Sequence, residues 1–236
     1  MNENQLSERL KRVGELVPKQ SRLADIGSDH AYLPVALVLQ KKLDFAIAGE
    51  VVTGPYEAAK KQVRKNGLDQ QISVRLANGL DAVNKSDEIS AVTICGMGGA
   101  LIRDILEAGW TSQRLQGNER LILQPNIGER AVRDWLTIHG YTILEEEILE
   151  ENNKIYEIIV ASREVQRVAY SEKERLFGPV LLNTQSPVFY KKWQSELRQR
   201  QNILAQLAKA TGDQQARMQQ IEQEITEIQE VLSHES

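Results

Sequence analysis

The sequence predicts an α/β protein: a doubly wound, mostly parallel sheet that closes on an antiparallel hairpin, followed by a helical coiled coil. Three observations carry this. Short apolar runs alternate with helix-forming segments from the N-terminus to about residue 162. Within that alternation, Leu23-Ala24-Asp25-Ile26-Gly27-Ser28-Asp29-His30-Ala31-Tyr32-Leu33-Pro34 places an acid and a glycine at the end of an apolar run, just before helix-forming sequence. Beyond it, Tyr190, Trp193, Leu197, Leu204 and Leu207 fall on heptad positions, and Met218, Ile221, Ile225, Ile228 and Leu232 continue the pattern.

Taken in order, Leu6, Leu10, Val13 and Val17 recur at helical spacing and predict a short amphipathic helix before the first strand. Strands are predicted over 22–26, 44–50, 72–76, 91–95 and 120–124, and helices over 33–40, 55–66, 100–108 and 129–139. Pro55 suits a first helical turn, where its missing N–H would be unpaired anyway. Gly67 and Gly140 stand where helices stop. Strand–helix alternation implies parallel strands joined by crossovers, with helices on both faces. Strands over 141–149 and 154–162, separated by the polar Glu150-Glu151-Asn152-Asn153, form a hairpin.

The segment Thr211-Gly212-Asp213 should turn the two heptad helices back on each other as an antiparallel coiled coil. The expected domains are 1–162 and 163–236. In the arm, Lys191, Lys192, Arg198, Arg200, Lys209 and Arg217 face only Glu196 and Asp213 within 187–217, whereas every charge from Met218 onward is acidic. Part of this pairs across the coil. The remainder, with Lys191, Lys192, Arg198 and Arg200 as candidates, suits phosphates. A purely stabilising or dimerising arm is the alternative.

Composition excludes several classes. The net charge is -4 and there is one cysteine, Cys95, so no disulfide framework or zinc cluster is expected, and Cys95 reads as a core thiol. No run approaches the roughly 20 apolar residues of a membrane span. The polar Met1-Asn2-Glu3-Asn4 lacks the features of a signal peptide, so the expected location is the cytoplasm. His30, His139 and His234 show no metal-ligand spacing, so no metal is expected.

The candidate chemistry lies where strands end. The second apolar run, Phe45-Ala46-Ile47-Ala48-Gly49, ends in Glu50, an acid able to take both hydroxyls of a ribose. A dinucleotide fingerprint would need glycines where Asp29 and Tyr32 stand. Asp25, two residues before Gly27, suits a ligand whose end is a cation. S-adenosylmethionine (SAM), with its ammonium, sulfonium and ribose, fits; another nucleotide or a structural turn are the alternatives. Asn78 and Gly79 follow the third strand, where an amide can read an adenine edge or merely cap a turn. Gly96-Met97-Gly98-Gly99 follows the fourth strand and lets backbone pass close to a ligand, or a helix close to a strand. Gln124 and Asn126 end the fifth strand as candidate base-edge hydrogen bonders. Asp29 and His30 are candidate positioning groups in the first loop, with His30 also a cofactor contact. Seven strands ending in a hairpin match a Rossmann-like class I SAM-dependent methyltransferase sheet better than a dehydrogenase, by fold-level analogy.

These segments, together with Ala46-Ile47-Ala48-Gly49-Glu50, Gly54-Pro55, Ala100-Leu101-Ile102, Arg120-Leu121-Ile122-Leu123-Gln124-Pro125-Asn126, Ile148-Leu149-Glu150-Glu151 and Tyr156-Glu157, resemble the bacterial tRNA (adenine-22-N1)-methyltransferases, the TrmK family. The resemblance spans nearly the whole chain. It implies a SAM-dependent enzyme that methylates N1 of one adenine in the D-arm of tRNA. A monomer or weak dimer is expected. The family often has Gly-Asp-Gly-Leu where this chain reads Ala77-Asn78-Gly79-Leu80. The Asn/Asp-Pro-Pro-Tyr segment of many exocyclic-amine methyltransferases does not follow the fourth strand, which agrees with a ring-nitrogen target. A small-molecule methyltransferase and a non-catalytic RNA-binding protein are the competing readings.

Overall fold

A computed structural model describes residues 6–164, 168–208 and 214–233. The predicted Thr211-Gly212-Asp213 turn, Met1 to Asn4, Lys209 and His234 lie outside the described residues. The chain divides into two compact units, Met1–Val180 and Leu181–Ser236.

The first unit holds α1 (Glu8–Leu16), β1 (Ser21–Ile26), α2 (Tyr32–Leu39), β2 (Leu43–Glu50), α3 (Thr53–Lys65), β3 (Ile72–Leu76), β4 (Ala91–Gly98), α4 (Gly99–Thr111), β5 (Arg120–Ile127), α5 (Glu129–Ile138), β6 (Thr142–Glu151), β7 (Lys154–Ser162) and α6 (Glu172–Phe177). The seven strands lie in the order β3-β2-β1-β4-β5-β7-β6. The first five are parallel, while β7 runs antiparallel to both β5 and β6. The predicted fold is the observed one.

The two-residue period of each strand sorts its side chains into two cores. Ala24, Ile26, Ile47, Val92, Ile94, Leu121, Leu123 and Ile159 face α4 and α5, where Ile102, Leu106, Val132 and Trp135 meet them. Leu23, Ala46, Ala48, Ala91, Ile122, Ile158 and Val160 face the other way, onto Val13, Val17, Leu33, Leu37, Ala59 and Val63. Removing one of these fully buried leucines, such as Leu106, should cost about 2–5 kcal/mol. α2 is apolar nearly all round and is buried from Leu33 to Val38, as such a helix must be.

Strands β4 and β5 run past their predicted ends, to Gly98 and Ile127. The glycine-rich segment therefore continues the sheet rather than leaving it as a loop. The hairpin turn is the pair Asn152 and Asn153, with φ of 52° and 60°. Both central residues are left-handed, which matches the twist of the flanking strands.

The first unit reaches past residue 162 because the following segment is tied to it. Ile143 N donates to the Tyr170 hydroxyl at 2.9 Å, Arg175 Nη1 to Asp134 at 3.0 Å, and Val180 N to Glu146 Oε2 at 2.9 Å. Beneath lies a fully buried ionic triad: Arg133 donates from Nε to Glu146 at 2.7 Å and from Nη2 to Glu157 at 2.5 Å. Each charge finds a partner, which burial requires.

The second unit comprises α7 (Leu181–Thr184), α8 (Pro187–Leu207) and α9 (Gln215–Leu232). Ser186 caps α8 by accepting from Phe189 N at 3.3 Å, and Pro187 takes the first helical position. Of the heptad residues, Trp193, Ile221 and Ile228 are buried and Leu197, Leu204, Met218 and Ile225 are partly buried; Phe189 and Val231, outside the predicted pattern, are buried as well. Arg200 in α8 donates to Glu224 in α9 at 2.7 Å.

Candidate active site

In a doubly wound sheet a ligand binds outside the carboxyl ends of the strands, where the strand order reverses. Here that point lies between β1 and β4. Asp25 sits near the end of β1, only 4% exposed. Its two oxygens accept from the Ser28 hydroxyl at 2.5 Å and the Thr93 hydroxyl at 2.6 Å. Burial pushes its carboxyl up to about 6, and the two hydroxyl bonds only partly oppose this. A buried acid so placed gains from a cation.

Gly27 turns the chain with φ 71°, and a Cβ there would lie 2.1 Å from Met97 Cε. The left-handed φ is what favours glycine at this turn, and the end of the Met97 side chain rests against it. Beyond Ser28, three consecutive non-glycine residues, Asp29, His30 and Ala31, all have left-handed backbone, φ 40°, 65° and 54°. Such residues are strained unless held. The hold comes from Glu50, whose Oε1 accepts Asp29 N at 2.5 Å. Glu50 is itself 7% exposed, and burial raises its carboxyl above the usual range. Asp29 is exposed; His30 Nδ1 lies 2.7 Å from Asp29 Oδ1, and its ring stacks on Tyr32.

Two hollows open along this rim. Asp25, Gly27, Ser28, Asp29, Gly96 and Met97 line the first, with Arg9, Leu10, Leu33 and Cys95. Asn78 and Gly79 line the second, with Leu80, Asp81, Leu101, Asp104 and Ile105. Gly79 is left-handed, φ 54°, and a Cβ there would press on Ile105. Gly98 caps α4, and nothing crowds it; Gly99 is the packing glycine, since its Cβ would lie 2.0 Å from Gly128 O. Large apolar side chains stand exposed at the rim: Val51 and Val52 after β2, Leu76 ending β3, Leu101 in α4 and Ile127 ending β5.

Several expectations need correction. Gln124 is fully buried and its amide is engaged within the chain. Its Oε1 accepts from Gly96 N at 3.0 Å and from Arg9, and its Nε2 donates to Pro125 O at 2.7 Å. It braces the rim instead of reading a base. Asn126 is exposed, with its Nδ2 donating to Gly96 O at 2.8 Å. Arg200 also leaves the phosphate-facing set, because it is paired with Glu196 and Glu224 inside the coil. Lys191 and Arg198 are exposed, and Lys192 lies over the Trp193 ring at 5.5 Å. Cys95 lines the first hollow and is not sealed in the core, though desolvation still keeps its thiol protonated.

Arg9 and Thr93 are the residues that sequence reasoning missed. Thr93 carried a signal, as the one polar residue inside the apolar run of β4. Arg9 carried none: it is one of three basic residues on α1, and only the fold turns it toward the hollow. Among the described residues, no group of three His, Cys, Asp or Glu could hold a metal ion, and no helix is long and apolar enough to cross a membrane.

The chain matches known proteins along nearly its whole length. A relative from Bacillus subtilis (strain 168), tRNA (adenine(22)-N(1))-methyltransferase, is 45% identical over 99% of this chain and all of its own. The crystal structure of the B. subtilis M1A22 tRNA methyltransferase TrmK superposes with a TM-score of 0.90 at 43% identity, covering 97% of this chain and 99% of that one. M. capricolum TrmK, solved with the cofactor product S-adenosyl-homocysteine (SAH), superposes at 0.82 with 30% identity, covering 97% and 98%. The family model TrmK, tRNA (adenine(22)-N(1))-methyltransferase, matches residues 23–230, and this chain belongs to that family.

Proposed function

We propose that this chain transfers the methyl group of SAM to N1 of adenine 22 in the D-arm of tRNA. The observation that carries the reading is the pair of buried acids on adjacent parallel strands. Asp25 and Glu50 close β1 and β2 on either side of the Gly27 turn, and both are raised by burial. SAM presents a cationic amino-acid end, a sulfonium and a ribose diol, so the residues present fit it. Asp25 takes the ammonium, Glu50 the ribose hydroxyls, and the hollow beside Asn78 and Gly79 the adenine. Gly27, Gly96, Met97 and Gly98 supply close-lying backbone between these ends, and His30 closes the first loop over them.

SAM supplies the methyl group as an electrophile on a sulfonium. Adenine N1 carries an in-plane lone pair, so no proton must leave before attack and no strong general base is required. The protein's task is alignment, which can supply much of the rate. Asp29 and His30 position the two reactants at the mouth. The acids of the rim also favour the cationic product electrostatically. The exposed apolar side chains suit the faces of purines, and a paired adenine must leave its stack to reach them. In the second unit, Lys191, Lys192 and Arg198 contact tRNA phosphates. We place the enzyme in the cytoplasm as a monomer or weak dimer, with the first unit able to fold and bind SAM by itself.

The test uses methyl-labelled SAM and two unmodified tRNA transcripts, one with adenine and one with guanine at position 22. Label should enter the first and be lost from the second. Equal labelling of both would remove adenine 22 as the target, and no labelling of either would remove the activity.

A further inference from the structure

Gly98 is a glycine that neither its backbone nor its packing requires. Its φ and ψ of -71° and 144° are open to any residue, and a Cβ there would meet nothing within 4 Å. Across the β4–β5 ladder its partner is Ile127, and residues in register point to the same side of a sheet. Ile127 is 73% exposed, so open space over the end of β4 is walled on one side by an apolar side chain. The backbone around that wall is fixed. Gly128 follows with φ 76°, and its carbonyl oxygen stands 2.0 Å from where a Cβ on Gly99 would be, so the end of β5 is wedged against the start of α4. Before it, Asn126 Nδ2 donates to Gly96 O at 2.8 Å. The register slips on both sides of Met97, an irregularity of the kind found beside active sites.

We infer that the extruded adenine seats in this space, one face against Ile127 and its N1 edge toward the methyl donor, with Ile127 as a positioning residue for the base. This deepens the proposed function and rests on it. The groups assigned to the ends of SAM, Asp25, Glu50 and Asn78, belong to β1, β2 and the turn after β3, and in the order β3-β2-β1-β4-β5 all of these lie on one side of β4. The β5 side is left for the substrate. The loop after β1 and the end of β5 flank β4, two strand spacings or about 10 Å apart. A planar base touched on both faces takes about 7–8 Å at van der Waals distance. The wall is also chemically suited. A hydroxyl or amide there could donate to N1 and occupy the lone pair that must attack, whereas isoleucine has no donor. Its branched Cβ limits it to few rotamers, so it is stiff before the base arrives.

Single-turnover methyl transfer to the adenine-22 transcript, read beside SAH calorimetry, tests this on the full chain. Ile127→Ala trims an exposed side chain, so SAH affinity should stay within about twofold of the parent. Affinity for tRNA, carried mainly by phosphates, should stay within about threefold. The rate at saturating SAM and tRNA should nevertheless fall by about tenfold to a hundredfold, because the base is less well aligned. Ile127→Leu keeps an apolar wall and should recover most of the rate. Gly98→Ala puts a methyl group into the seat and should also slow transfer while SAH still binds. A parental rate in Ile127→Ala would overturn the seat, and so would a loss of SAH affinity matching the loss of rate. Weakened SAH binding in Gly98→Ala would give the space to the cofactor and overturn it as well. If the parent chain transferred no label to the transcript, the methyl-transfer reading itself would fail, and the seat with it.

Discussion

The carboxylate of Glu50 accepts the backbone N–H of Asp29 at 2.5 Å, so the acid that ends β2 also braces the loop that follows β1. That loop runs through three consecutive left-handed residues, Asp29 to Ala31. Holding such backbone costs on the order of 1 kcal/mol per residue, and Glu50 is what opposes its relaxation. Glu50→Ala should therefore weaken SAH binding by at least about tenfold, roughly 1.4 kcal/mol. It removes both the proposed ribose partner and the brace. Glu50→Gln keeps an acceptor oxygen and should lose less. Equal affinities for the parent and Glu50→Ala in calorimetry would remove Glu50 from the site.

Asp25 predicts a pH dependence whose sign can be worked out. Its folded carboxyl is raised to about 6, chiefly by burial. A raised carboxyl disfavours the ionised form in the free protein, so this group costs stability as pH climbs from its unfolded range through 6. A ligand ammonium reverses that preference. Below pH 6, binding must first deprotonate Asp25, and SAH affinity should fall by up to about tenfold per pH unit. Above pH 7 this contribution should be flat. Asp25→Asn should bind more weakly at pH 7.5 and lose the acid-side slope. A slope that persisted in Asp25→Asn would assign it to another group.

Asp29 distinguishes alignment from proton transfer. Asp29→Asn keeps the shape and removes the basicity. If N1 attacks without a base, turnover at saturating SAM and tRNA should stay within about a hundredfold of the parent, and the pH–rate profile should lack a strong rise through the histidine range. A loss beyond the roughly 10²–10⁴ of general acid–base catalysis, with both substrates still bound, would require Asp29 to accept a proton.

In the second unit, neighbouring arginines should behave differently. Arg198 is exposed, whereas Arg200 is held by Glu196 and Glu224. Arg198→Glu should weaken tRNA binding and flatten its salt dependence, because fewer counterions are then displaced. Arg200→Met should lower the melting temperature and leave the salt slope as it was. A filter-binding salt titration reads the slope, and a reversed pattern would return Arg200 to the phosphate-facing set.

Much of this was legible in the sequence, for identifiable reasons. β3 and β7 appear where the apolar alternation puts them, and Gly67 and Gly140 end their helices with left-handed φ. Local pattern and backbone permissiveness determine such features. The placement of Gln124 was not legible, because the same residue at a strand end can face a ligand or turn inward to a neighbouring strand. Only pairing with β4 decides it, by bringing Gly96 N to its oxygen. Arg9 was hidden for a similar reason: on a polar helix face, basic residues differ only in what the fold brings opposite them. Arg200 looked like surplus charge until the hairpin of helices set Glu224 against it.

The central claim is that the two acids closing β1 and β2 hold opposite ends of SAM. A crystal structure of the chain with SAH tests this most directly. The account predicts both ribose hydroxyls within hydrogen-bond reach of Glu50, the ammonium on the Asp25 side of the Gly27 turn, and the purine beside Asn78 and Gly79. Density placing the purine in the Asp25 hollow, or the ribose out of reach of Glu50, would contradict it.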